Sequence, residues 1–198
     1  MNIPNKLTVS RLVMAPLFFI CFNLPYWFGY GLEDISVILV LAIFVLNELS
    51  DLLDGKIARK RNLITDLGKV MDPFADTFSR ITYFVCLMEC GIMPSIAFIV
   101  ILWRELGMLF VRMLMMGKGK PVPANIFGKS KAVLYAVSGV AGILLYAMER
   151  WFEGASWLSA CGITVTLLFY LAAVSSVASF LIYIRFIISD GSLKNMTR

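Results

Sequence analysis

Long apolar runs, broken by short polar stretches, set the rhythm of this chain. After residue 11 the stretch LVMAPLFFICFNLPYWFGYG carries no charge, giving a first span of roughly 11 to 31, and further runs occupy about 34–59, 69–90, 94–116, 127–148 and 156–188. Each has at least the twenty or so residues that an α-helix needs to cross about 30 Å of hydrocarbon, and the last is long for one crossing. The pattern predicts an all-α, polytopic membrane protein with six transmembrane helices. Ahead of the first span, MNIPNKLTVSR is polar and basic. It predicts a short N-terminal amphipathic segment, uncleaved because no small-residue cleavage pattern follows. KRNLITDLGK and GKGKPVPANIFGK read as loops. No internal repeat divides the chain, so residues 1–198 read as a single membrane domain, with no room for a separate soluble catalytic module.

Composition agrees. The 198 residues are 60% hydrophobic and 16% charged, with a mean hydropathy of +0.83, against about 45–50% apolar and about 25% charged in soluble domains. The net charge of +5 does not point to nucleic acid, because the cations sit at helix ends and between apolar runs, where membrane topology accounts for them. Lys6, Arg11, Lys56, Arg59, Lys69, Lys118, Lys129, Lys131 and Lys194 fall on one side of a six-span arrangement, and Arg150 is alone on the other. The positive-inside rule then predicts both termini in the cytoplasm. There is no His, which excludes histidine metal ligands, Ser–His triads and an imidazole base. The four cysteines make no CxxC pair, and the i,i+4 pair Cys86 and Cys90 reads as structural.

The informative residues are acids where lipid-facing residues are expected. Asp51, Asp54, Asp72 and Asp76 lie near the inner ends of the second and third spans. An Asp at a helix centre costs about 2.5–3.5 kcal/mol on insertion scales, and four mutually repelling anions cost more than four separate ones. Something positive should sit among them. Asp51 and Asp54 are i,i+3 and Asp72 and Asp76 are i,i+4, so each pair projects from one helix face and two faces can converge. Four carboxylates without His or thiolate make a hard-oxygen set suited to Mg²⁺ or Mn²⁺, with enough ligands for two ions of the kind that assist displacement at phosphorus. Gly55, Ala58 and Gly68 leave room for a ligand to approach, and Arg59 offers a fork for a diphosphate. The competing reading makes the aspartates partners of Arg and Lys in a buried structural network.

Asp51 to Asp76 reads DxxDGxxARx8GxxxDxxxD, eight fixed positions over 26 residues. It resembles, without gap or substitution, the signature of the CDP-alcohol phosphotransferase family. The resemblance implies a six-helix membrane enzyme, usually a homodimer, that moves a phosphatidyl or similar group from a CDP-linked donor to an alcohol and releases CMP at the cytoplasmic face. It assigns Asp51, Asp54, Asp72 and Asp76 to two divalent ions and makes Asp76 the general base. It places Asp54, Gly55, Ala58, Arg59, Asp66, Gly68 and Thr8 around the nucleotide.

Two further stretches resemble a bacterial branch of that family, the phosphatidylglycerophosphate synthases: NIPNKLTVSR with Asn5, Thr8 and Arg11 in register, and Trp103 to Lys131 with WRE, Arg112 and GKSK. They imply CDP-diacylglycerol as donor and glycerol 3-phosphate as acceptor. Arg112 shares a face of the fourth span with Glu105, two helical turns away. Arg112, Lys129, Ser130 and Lys131 form the candidate pocket for an anionic alcohol, with Arg80 a further candidate. This chain departs from the branch at Thr77, where Lys is usual, and in carrying Glu48 and Arg80. Those two either bridge over the metal site or leave Arg80 free to touch the acceptor. Another acceptor (inositol phosphate, serine), CDP-choline with diacylglycerol, and a divalent-cation transporter are the alternatives. A transporter would spread its acids along the membrane depth, whereas these cluster at one end.

Overall fold

The computed structural model describes residues 2–60, 66–116 and 126–189. Six long helices follow one another: α1 (Ile3–Phe28), α2 (Glu33–Lys60), α3 (Asp66–Glu89), α4 (Ser95–Met116), α5 (Ile126–Trp151) and α6 (Leu158–Ser189), with a 3-10 turn at Tyr30–Leu32. Four segments, Pro4–Phe28, Tyr30–Leu53, Ser130–Trp151 and Leu158–Arg185, are long and apolar enough to cross a membrane. The protein is an all-α, multi-pass membrane protein, and among the described residues four helices, where six were expected, meet the composition of a span. The other two fall short because of charge. α3 carries Asp66, Lys69, Asp72, Asp76, Arg80 and Glu89, and α4 carries Arg104, Glu105 and Arg112, each raising the cost of insertion.

The N-terminus also differs from expectation. In place of a separate amphipathic segment, α1 is continuous from Ile3. Asn2 caps it, its Oδ1 accepting from the Asn5 N–H at 3.1 Å, and Pro4 occupies the first turn, where its missing donor costs nothing. The polar stretch is therefore the first two turns of the same rod that continues into the apolar run. Gly29, at φ +111°, ends the helix in a conformation that favours glycine.

α1 packs against α2 and α3, α5 against α6, and α4 against α6. Phe18, Phe22, Phe84, Leu87 and Phe169 are fully buried where these helices meet. The Phe18 and Tyr83 rings lie 4.5 Å apart, and Phe84 meets Phe169 edge-on at 5.5 Å. A Cβ on Gly142 would fall 2.7 Å from Leu87 Cδ1, so glycine there lets α5 close on α3, a small-residue device familiar in membrane bundles. Cys86 is buried in this core as a free thiol. The outward faces are themselves apolar: Leu17, Ile38, Leu167, Leu171 and Val174 are exposed, the arrangement a hydrocarbon solvent selects. The polar residues point the other way. Ser36, Asn47, Ser79, Ser138 and Ser176 are buried between helices, with Ser36 Oγ donating to the Cys21 carbonyl at 2.8 Å.

Candidate active site

α1 packs against both α2 and α3. Beside it Asp51 of α2 comes together with Asp72 and Asp76 of α3, and their carboxylate oxygens all lie within 4.8 Å of one another. Oxygens sharing one Mg²⁺ at about 2.1 Å stand about 3–4 Å apart, so the donor set and its spacing fit a hard divalent cation. A site able to coordinate such an ion is thus present. The side chain of Asp54 lies outside the described residues, as do the side-chain surroundings of Gly55, Ala58, Arg59, Asp66 and Lys129.

α1 contributes a cation that the sequence reading used only for register and topology. Arg11 is 1% exposed, and its guanidinium reaches all three aspartates: Nη1 donates to Asp51 Oδ1 at 2.5 Å and to Asp76 Oδ1, and Nη2 donates to Asp72 Oδ1. A buried ion-pair network and a metal-competent cluster are therefore the same place. α1 is held in that register by Ser50, whose Oγ donates to the Leu7 carbonyl at 3.3 Å and lies 3.5 Å from Ser10 Oγ. Thr8, one turn before Arg11, is buried with its hydroxyl on the Pro4 carbonyl at 3.1 Å.

A pocket opens beside this cluster. Arg11, Asp51 and Asp76 line it together with Glu48, Arg80, Tyr83 and Tyr135. Among the described residues Glu48 and Arg80 make no ion pair with each other. Arg80 instead lies over the Tyr135 ring, 5.3 Å from its centre.

The combination of an all-α apolar bundle with three converging aspartates from that one signature agrees with the sequence comparison. The pattern described as CDP-alcohol phosphatidyltransferase matches residues 1–189. The chain belongs to that family. A CDP-diacylglycerol–glycerol-3-phosphate 3-phosphatidyltransferase of Treponema pallidum is 32% identical, over 93% of this chain and 88% of its own. A protein of the same description from Bacillus subtilis is 35% identical over 70% and 76%. A cardiolipin synthase (CMP-forming) of Streptomyces coelicolor is 34% identical over 79% and 78%. As a member of the CDP-alcohol phosphatidyltransferase family, the protein is a transferase of phospholipid biosynthesis, with an acidic cluster in the place the family signature marks.

The remaining predicted site residues divide. Ser130 is exposed and Arg112 half-buried on α4, and Arg112 makes no ion pair among the described residues. Lys131 has a buried partner: its Nζ donates to Glu105 Oε1 at 2.5 Å. Arg104 Nη1 meets the same oxygen at 2.9 Å, and its Nη2 reaches Ser179 Oγ at 3.3 Å. This second cluster clasps α4, α5 and α6. Sequence reasoning missed it although a signal existed, because a Glu inside an apolar span demands a cation.

Proposed function

We propose that this protein transfers the phosphatidyl group of CDP-diacylglycerol to glycerol 3-phosphate and releases CMP. The observation that carries the reading is the convergence of Asp51, Asp72 and Asp76 beside a pocket, within a signature whose family acts on CDP-alcohols. The names carried by the Treponema and Bacillus relatives support the donor and the acceptor. Magnesium or manganese, two ions with Asp54 included, is the fitting cofactor; bound there, it would neutralise the diphosphate and stabilise the departing CMP.

The chain's own residues do the rest. Asp76 accepts the proton of the acceptor hydroxyl, the freed oxygen forms a bond to the phosphatidyl phosphorus, and the bond from that phosphorus to the CMP oxygen breaks. Thr8, Asp54, Gly55, Ala58, Arg59, Asp66 and Gly68 hold the nucleotide. The acceptor's phosphate requires cations on the same side, for which Arg80, Arg112, Lys129, Ser130 and Lys131 are the candidates. In this reading all six helices cross the bilayer as one domain. The charge asymmetry of the loops turns the site to the cytoplasm of a bacterial cell membrane, and the enzyme works as a homodimer.

The test is CMP release by the purified protein from CDP-diacylglycerol with Mg²⁺ or Mn²⁺, with glycerol 3-phosphate, inositol phosphate, inositol and serine supplied in turn. Release with glycerol 3-phosphate that stops on chelation is expected. Release only with a non-phosphorylated alcohol overturns the acceptor, and release only from CDP-choline with diacylglycerol overturns the donor. Metal uptake into vesicles without CMP release from any donor means a transporter.

A further inference from the structure

The pocket beside Asp76 is also lined by two phenols that the chemistry above does not use. Tyr83 is 3% exposed and Tyr135 1%; both line the pocket, and although the Ser79 and Ser176 hydroxyls stand near them, neither phenol makes a hydrogen bond of good geometry among the described residues. A buried hydroxyl gives up its water and regains nothing until a partner arrives, which is why most buried polar groups are paired. Aromatic packing fixes both rings. Phe18 and Phe44 hold Tyr83 at 4.5 and 5.2 Å, and Phe84 holds Tyr135 at 6.1 Å. The donors are therefore preset rather than free to swing towards another partner.

Arg80 belongs to the same wall. Its guanidinium lies over the Tyr135 ring while the Lys131 ammonium lies 4.5 Å from that ring's centre. The two cations differ in one respect: Lys131 is neutralised by Glu105, whereas Arg80 makes no ion pair among the described residues. A cation and two unpaired phenols in one pocket match a compact anion rich in oxygen acceptors. Glu48, exposed on the same wall, accepts hydrogen bonds and repels phosphate, so it suits the hydroxyl-bearing end of such a molecule.

We propose that this chamber is the acceptor subsite, in which a small phosphate-bearing alcohol places its hydroxyl end beside Asp76 and Glu48 and its anionic end against Arg80, with Tyr83 and Tyr135 donating to its oxygens. This rests on the reading above that the acceptor is a phosphorylated alcohol, and it locates that acceptor between α2, α3 and α5 rather than at Arg112, Lys129, Ser130 and Lys131. Arg80, Tyr83 and Tyr135 then set acceptor specificity.

The experiment uses the full chain with CDP-diacylglycerol and Mg²⁺, varying glycerol 3-phosphate against Tyr83→Phe, Tyr135→Phe and Arg80→Gln. Each phenol deletion is expected to raise the acceptor KM about tenfold and the arginine change about a hundredfold, the worth of hydrogen bonds to a charged group. The KM for CDP-diacylglycerol stays the same. Thermal midpoints of the Tyr→Phe proteins stay level or rise, because the change removes an unsatisfied hydroxyl; a structural role for the hydroxyls would lower them. Inorganic phosphate competes with glycerol 3-phosphate in the wild type and loses that ability in Arg80→Gln. An unchanged acceptor KM in both Tyr→Phe proteins, or a donor KM that rises in step with it, overturns the proposal. A wild type that releases no CMP with glycerol 3-phosphate overturns the functional reading instead, so the two failures are distinguishable.

Discussion

Two ion clusters sit in the same bundle with opposite balances. Among the described side chains, Arg11 faces Asp51, Asp72 and Asp76, one cation against three carboxylates, a balance of −2. Glu105 faces Arg104 and Lys131, one carboxylate against two cations, leaving +1. They also differ in access. The three aspartates are 34–47% exposed, whereas every member of the Glu105 cluster is 8% exposed or less. A carboxylate in a closed cluster has to be paired there, because an unpaired buried charge is strongly destabilising, and Glu105 is held by both cations. An open one can hold surplus negative charge for a ligand. The first is therefore built for chemistry and the second for holding α4, α5 and α6 together.

The largest effect that would sharpen this contrast is on turnover. Asp76→Asn removes the proton acceptor while keeping shape, and turnover should fall by about 10²–10⁴-fold, the usual worth of general base catalysis. CDP-diacylglycerol binding should persist, read by protection of thermal stability or by direct titration. Near-normal turnover would remove Asp76 from the base role. The counterpart is Glu105→Gln, which leaves two buried cations without their anion and should cost about 3–5 kcal/mol in unfolding from detergent or lipid. Activity per folded molecule should stay within a few-fold. If Glu105→Gln lost activity but not stability, the division between the clusters would be wrong.

The site was far more legible in the sequence than its surroundings. The i,i+3 and i,i+4 spacings of the aspartates encoded two helix faces, and α2 and α3 fold those faces together. Spacing of this kind is local information, so a sequence carries it openly. Arg11 was harder, because its partners are 40, 61 and 65 residues away. Four aspartates need a cation, and the sequence leaves both a metal and Arg or Lys partners open without singling out Arg11, although an arginine beside an apolar run needs a partner for the same reason. Lys131 enters the acceptor reading through the GKSK stretch and its charge; the buried Glu105 that holds it can be paired with it only in three dimensions. The continuous start of α1 was readable in principle from Asn2 and Pro4, a cap followed by a first-turn proline. Polarity obscured it, since the first two turns meet charged helix ends rather than lipid. Tyr83 and Tyr135 left no trace in the sequence at all, because aromatic residues in a membrane helix are common.

A smaller effect separates Arg11 from the metal it neighbours. Arg11→Gln takes the cluster from −2 to −3, and with the carboxylates partly solvated the cost in metal-free buffer should be about 1–3 kcal/mol. Saturating Mg²⁺ should return most of it, since a ligand at about 100 times its Kd contributes about 2.7 kcal/mol. The thermal shift produced by Mg²⁺ should therefore be larger in the variant than in the wild type. Equal shifts would mean that Arg11 and the ion do not share the carboxylates' charge.

The smallest effect belongs to the opposite end of the bundle and sets the scale for both clusters. There Arg150 Nη1 meets Glu33 Oε1 at 3.1 Å and its Nη2 reaches Tyr26 Oη at 3.3 Å, one cation against one anion, with side chains 28% and 33% exposed. Neither surplus charge nor full burial is present, so neither a ligand nor a strong structural demand is expected. Arg150→Gln should cost no more than about 1 kcal/mol, the range of solvent-accessible pairs, and the deficit should shrink as salt rises towards about 1 M, where screening acts within about 3 Å. CMP release should be unchanged. A cost comparable to that of Glu105→Gln would show that burial is not what separates a clasp from a surface pair in this bundle.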